Sequence, residues 1–127
     1  MTHKPAIDAA LAVMDAHINA LNARDETQLA ATLHFPHFRL SGTNMTTWDN
    51  ADNYFSDFRA RAGGEWSHSS FNEIQVVHAS EDKVHLNAEI RRYRHDESIY
   101  CRFRSLWVIT MEEGRWAAKL RSTFAPS

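Results

Sequence analysis

From Trp66 to Phe124 this chain of 127 residues reads as four alternating stretches separated by short polar turns, and no other feature restricts its fold so strongly. Alternation of apolar and polar residues marks strands with one buried face. Strands are expected near 66–79, 83–94, 99–112 and 115–124, with turns at Glu81–Asp82, Asp96–Glu97 and Glu113–Gly114. Only the last turn contains the glycine that a tight hairpin prefers. With two-residue loops at 96–97 and 113–114, Val84 faces Ile109, Leu86 faces Trp107 and Ile90 faces Phe103. In the next hairpin Met111 faces Trp116, Ile109 faces Ala118, Trp107 faces Leu120 and Phe103 faces Phe124. One face of three strands becomes consistently apolar. On the other face Glu89 meets Arg104, a favourable cross-strand pair, while Arg91 opposite Arg102 is the one pairing that opposes this register. A slip by one residue would mix the faces. Within 66–79, Ile74, Val76 and His78 alternate, but Phe71 and Val77 fall out of phase, which predicts a bulge.

Helical patterns precede the strands. In 5–23, Pro5 suits a first turn, and Ile7, Leu11, Met14, Ile18 and Leu21 form one apolar stripe. A second helix over 25–34 starts at Asp25, with Gln28 completing a variant capping box and Leu29 and Leu33 supplying the apolar face. Pro36 ends that helix, and Phe38 and Leu40 then alternate as a short strand. A third helix over 50–62, entered at Thr47 or Asp49, buries Ala51, Tyr54, Phe55, Phe58 and Ala62, and Gly63–Gly64 stop it. The expected fold is α+β: three N-terminal helices on the concave face of a strongly bent, mostly antiparallel sheet. Such an architecture encloses an interior pocket.

Composition narrows the rest. One domain over 1–127 is large enough for a hydrophobic core. The apolar fraction of 43% and charged fraction of 24% are ordinary for a soluble chain. A net charge of −2 gives no bulk attraction to nucleic acid. The lone Cys101 excludes an internal disulfide and fits a reducing compartment. Asp8 and Asp15 interrupt what would have to be a signal-peptide core, and no apolar run approaches the ~20 residues that span a bilayer. A cytoplasmic protein is expected.

Within the apolar face, Ala88, Ser105 and Ser122 form a transverse row of small residues between large ones. Either Phe55 or Phe58 fills the space above them, as close packing requires, or they floor a ligand cavity with two hydroxyls for orientation. Arg92 falls on the same side, where it could pair with an anionic ligand at the rim. Trp48, Trp66, Trp107 and Tyr54 suit a pocket wall or the core equally. His17 lies beside Met14, Ile18 and Leu21. It reads as a general acid or base, or as a hydrogen-bonded structural histidine. His34 and His37 have no third ligand fixed by spacing, so no metal site is expected. Arg91, Arg94, Arg102, Arg104 and Arg121 read as a solvated sheet face or dimer contact. No serine sits in a nucleophile-elbow pattern.

The phrase ALNARD at 20–25, the run LHFPHFRL at 33–40, the Trp48–Asp49 helix entry and the closing GRWAAKLRSTF at 114–124 resemble the SnoaL-like branch of the nuclear transport factor two superfamily. The resemblance covers nearly the whole chain. It implies a cone-shaped α+β barrel with a pocket, often dimeric through the sheet, in a family of isomerases, dehydratases, cyclases and transport adaptors. It places His17 where the isomerases carry a catalytic tyrosine. Their base aspartate falls near Ser41 or Gly42, so isomerase chemistry of that type is not expected. In many relatives an aspartate follows the proline, where this chain has His37. The expected function is binding of a small hydrophobic or aromatic molecule, with no cofactor. Ligand contacts are Trp48, Tyr54, Phe58, Ala88, Arg92, Ser105, Trp107 and Ser122. One alternative is a lyase, isomerase or hydrolase using His17 as acid or base. Another is a dimeric interaction module with a filled cavity.

Overall fold

Hairpin pairing organises the C-terminal half. The structure, a computed structural model, describes residues 3–61 and 64–126. Helices α1 (Lys4–Ala23), α2 (Glu26–Ala31) and α3 (Ala51–Arg61) accompany six strands: β1 (Leu33–Ser41), β2 (Asn44–Trp48), β3 (His68–Ala79), β4 (Lys83–Tyr93), β5 (Ile99–Glu112) and β6 (Arg115–Thr123). They form one sheet of order β2-β1-β6-β5-β4-β3. Every pairing is antiparallel except the parallel β1–β6 contact. The sheet does not close, and the helices pack on one of its faces.

The β4–β5 register follows the alternation of the sequence. Val84 faces Ile109, Leu86 faces Trp107, Ala88 faces Ser105, and Arg91 does sit opposite Arg102. Arg91 is neutralised on its own strand, its Nε donating to Glu89 Oε1 at 2.6 Å. At the β5–β6 turn Glu113 and Gly114 have φ of 54° and 75°, the left-handed pair that matches strand twist. Met111–Trp116 and Ile109–Ala118 pair as the sequence predicts.

Beyond Ala118 the expected register is wrong. A bulge at Lys119 adds one residue to β6, so Val108 faces Leu120, Trp107 faces Arg121 and Ser105 faces Thr123. The extra residue exchanges the two faces of everything that follows. Ser122 therefore leaves the concave face, and Phe124 is exposed rather than opposite Phe103. The parallel partner changes phase at the same place. β1 meets β6 at Leu33–Ala118 and resumes only at Phe38–Leu120.

The N-terminal half departs from expectation at three points. α1 buries Ala6, Ala10, Val13, Met14, His17 and Ala20, so its buried stripe is turned from the expected one, and Leu11 is left exposed. Alanine lets the helix axis come close to the sheet, which leaves the bulkier Ile18 and Leu21 at the margin of the contact. α2 is capped as expected, Asp25 Oδ1 accepting from Gln28 N at 3.1 Å, but it ends at Ala31. The sheet takes the chain from there, with Ala118 N donating to Thr32 O at 2.8 Å. Pro36 thus lies inside β1 rather than ending a helix, and its peptide bond is cis. β2 was not expected. It pairs back on β1 from Ser41–Asn44 to His37–Trp48 through a turn in which Gly42 has φ 58°. The cap of α3 is accordingly Asn50, whose Oδ1 accepts from Asn53 N at 2.9 Å, and neither Thr47 nor Asp49. Tyr54, Phe55 and Phe58 are buried as expected, while Ala62 and Gly63 lie outside the described residues. The irregularity read in β3 is present, with Glu73 at φ 49° and register shifts after Asn72 and after Val76.

Met14, Leu29, Leu33, Leu86 and Ile109 sit fully buried between α1, α2 and the sheet. Each contributes roughly 1.5–3 kcal/mol of burial. No described helix is long and apolar enough to cross a membrane.

Candidate functional site

The rotation of α1 and the bulge in β6 together leave a cavity of about 710 Å³ on the concave face, open to solvent at one side. Its floor comes from Ser105 and Thr123, which the bulge brings opposite each other. Ser105 Oγ donates to Thr123 Oγ1 at 2.6 Å, and Thr123 Oγ1 also accepts from Ala125 N at 3.1 Å. Phe58, Trp66, Phe71, Ile90, Phe103 and Trp107 give it an apolar wall, and Ile18 and Leu21 close the helical side. Arg92 reaches it near the mouth, its guanidinium 4.7 Å over the Phe103 ring. Glu65, the one carboxylate side chain on the lining among the described residues, is bound to Arg94 at 2.9 Å.

His17 is almost wholly buried at this cavity. Thr32 gives its hydroxyl proton to Leu29 O at 2.7 Å, so its Oγ1 accepts from His17 Nδ1 at 2.8 Å. That chain fixes the tautomer: Nδ1 carries the proton and Nε2 is a bare acceptor. Nε2 has no partner among the described residues and is not walled in by protein atoms, so it opens on the cavity. Burial pushes the pKa of His17 well below the ordinary imidazole value, and the charges of Arg121 and His37 lower it further. At neutral pH the ring is uncharged and offers the cavity an acceptor only.

Arg121 is the residue that sequence reasoning misplaced. It was expected on the outer sheet face; the bulge turns it inward, where it is 8% exposed. Its guanidinium lies 5.0 Å from the Trp107 ring and 5.9 Å from those of Trp48 and Tyr54. Nη2 reaches Tyr54 Oη at 3.5 Å, and no carboxylate among the described residues lies within ion-pairing distance. Arg39, its register partner on β1, lines the same cavity.

Of the side chains expected at a site, His17, Tyr54, Phe58, Arg92, Ser105 and Trp107 line this cavity. Trp48, Ala88 and Ser122 do not. Ala88 is fully buried in the core beneath the wall. Trp48 is buried behind Tyr54, donating from Nε1 to Asp57 Oδ2 at 2.7 Å with His37 stacked on its ring at 6.0 Å. Ser122 faces outward. Thr123 and Arg121 take its place on the floor, and only knowledge of the bulge could have exchanged them.

His37, whose role the sequence left open, is a core residue. Nδ1 donates to Ala118 O at 3.1 Å, and Nε2 is buried without a partner. Burial first, then the charge of Arg121, bring its pKa down to about 3. His34 points elsewhere, bonding Thr110 O at 2.9 Å. Among the described residues no three His, Cys, Asp or Glu side chains converge as metal ligands would.

No protein-family model matches this chain, and no curated protein matches it in sequence. Solved structures do match in fold. A nuclear transport factor two-like protein of unknown function from Shewanella oneidensis is 10% identical, with 93% of this chain and 98% of that one aligned and a TM-score of 0.76. A candidate ketosteroid isomerase from Shewanella frigidimarina is 17% identical over 91% and 94% of the two chains, with a TM-score of 0.70. A candidate scytalone dehydratase from Novosphingobium aromaticivorans is 16% identical over 95% and 84%, with a TM-score of 0.70. The chain therefore has the nuclear transport factor two-like α+β fold. At these identities the likeness is one of fold, which hosts many activities.

Proposed function

We propose that this protein binds a small, largely apolar molecule in the cavity between α1, α3 and the concave sheet. The observation that carries this reading is the cavity itself. Its volume of about 710 Å³ lies within the roughly 300–1,000 Å³ of small-molecule sites, and it joins an aromatic wall to a few convergent polar groups. The neighbours described as a ketosteroid isomerase and a scytalone dehydratase support a ligand-binding use of the fold. The first test is a thermal-shift screen of small aromatic and alicyclic compounds. A ligand at a hundredfold excess over its Kd adds about 2.7 kcal/mol, or roughly 10 °C in Tm for a domain of this size. The shift should vanish in Ser105→Trp and Leu21→Trp, which fill the space from the sheet and from the helix. A hit that stabilises parent and both blocked variants equally binds elsewhere, and the cavity reading then fails.

A second reading, enzymatic, rests on the geometry of His17. A bare Nε2 held in register by Thr32 is the arrangement of a positioned general base. A pKa far below neutrality makes that base weak, so a substrate with an already acidic proton suits it best. If one of the hits is turned over, His17→Gln should abolish turnover while leaving its thermal shift; turnover that survives the substitution rules His17 out.

We further propose that the outer sheet face is a homodimer contact. Phe38, Leu106 and Leu120 are half-buried register neighbours directed away from the helices, with the buried Val108 between them. Contiguous patches of this kind mark association surfaces. Sedimentation equilibrium should return twice the chain mass of 14.6 kDa for the parent and the chain mass for Leu106→Glu. A monomeric parent sinks this part of the reading.

A further inference from the structure

We propose that the cavity is selective for an organic anion, a carboxylate carried on an apolar body, with Arg121 as its counter-ion. The proposal rests on the cavity reading above and names the class of molecule it takes.

Arginine stays charged in proteins, so Arg121 places a permanent cation in a largely dehydrated site. A buried charge is costly unless it is paired and hydrogen-bonded. Here the neighbours are three ring faces and one phenol oxygen at the edge of hydrogen-bond reach. Ring faces stabilise a guanidinium but accept little from its N–H groups. Nε and Nη1 have no partner among the described residues, and neither is walled in by protein atoms. They open on the cavity that Arg121 lines. A planar fork of donors facing an enclosed space is matched by the two oxygens of a carboxylate.

The surroundings fit the same molecule. Among the described residues Glu65 is the one carboxylate side chain on the lining, and it is already bound to Arg94 at 2.9 Å. The field of Arg121 is felt nearby, since it is the second cause of the lowered pKa at both His17 and His37. Beyond the cation, Phe71, Phe58, Ile90 and Trp107 supply apolar surface for the body of the ligand. The bare Nε2 of His17 accepts from a hydroxyl on it.

Isothermal titration with benzoate, cinnamate and 2-naphthoate, each against its uncharged primary amide, tests the assignment. At least one acid should bind the parent about tenfold or more tighter than its amide, the smallest gap expected of a charge-assisted pair shielded from water. Arg121→Met should erase that preference while leaving the amide affinity within a few-fold. Arg121→Lys, which keeps the charge and serves if the methionine variant does not fold, should retain part of it. Equal binding of acid and amide by the parent overturns the anion assignment and leaves the cavity reading standing. A preference that survives Arg121→Met but is lost in Arg92→Met moves the counter-ion to the mouth and overturns the role of Arg121. Failure of both series to bind the parent overturns the anion assignment and counts against the cavity reading as well.

Discussion

Taking the protein from pH 7 to pH 5 should lower its unfolding free energy, by about 2 kcal/mol through His37 and further through His17. His17 and His37 are buried and uncharged in the folded state. Burial and the charge of Arg121 hold one pKa well below the ordinary value and the other at about 3. In the unfolded chain both titrate near ~6.5. Above that value neither state binds the extra protons, and full stability is present. As pH falls below it, the unfolded state takes up protons that the folded state refuses, and the equilibrium shifts toward unfolding. The loss continues down toward the folded-state pKa. Glu26, Asp96 and Glu112, whose pKa values are lowered, remain ionised through this window and contribute little to it. Urea titrations at the two pH values measure the difference. His37→Gln should flatten the profile by about one proton, whatever it does to stability at pH 7. An unfolding free energy that does not change between pH 7 and 5 would show that the imidazoles are not buried and neutral as described.

The second large effect is at Tyr54. Tyr54→Ala should cost about 3–5 kcal/mol, the range for truncating a buried aromatic ring. The ring is 2% exposed, and four others meet it edge-on: Trp48 at 5.0 Å, Phe55 at 6.0 Å, His37 at 6.2 Å and Phe35 at 6.4 Å. It is also the neighbour through which α3 reaches Arg121. Tyr54→Phe keeps the ring and removes only the hydroxyl, so its cost should stay near 1 kcal/mol. The contrast separates packing from polarity. If the two variants lost the same amount, the hydroxyl would dominate, and the aromatic cluster would not be the support of the Arg121 wall. Denaturant midpoints with unchanged m-values settle the comparison.

Both predictions concern residues whose position was only partly legible in the sequence. The β4–β5 pairing could be read because side-chain alternation has a strict period of two and only one phase makes a continuous apolar face. The helices were legible for the same kind of reason, although the stripe of α1 was misjudged. Hydrophobicity favoured Ile7 and Leu11, whereas close approach to the sheet favoured Ala6 and Ala10. β2 was missed because Asn44–Trp48 carries no alternation of its own and is extended by its partner β1. The largest gap was the bulge at Lys119. A bulge inserts a residue without leaving a mark in composition. It could be foreseen only from the opposing demands of β5 on one side of β6 and β1 on the other. That single residue decided the site. It carried Ser122 out and brought Arg121 and Thr123 in, so a floor read as alanine and two serines became serine and threonine, with a guanidinium beside it. His17 was found because it interrupts the apolar pattern near the buried side of α1. Its tautomer could not be, since Thr32 lies 15 positions away and meets it only through the packing of α2 on α1.

A small molecule in the space above Ser105 and Thr123 is the central proposal. Methyl-labelled NMR of the protein with its best hit tests that claim most directly. The methyls of Ile18, Leu21 and Ile90 should shift on titration with one common Kd, while those of Leu106, Val108 and Leu120 on the opposite sheet face stay put. Shifts confined to the outer face, or absent from the three cavity methyls at saturating ligand, would contradict it.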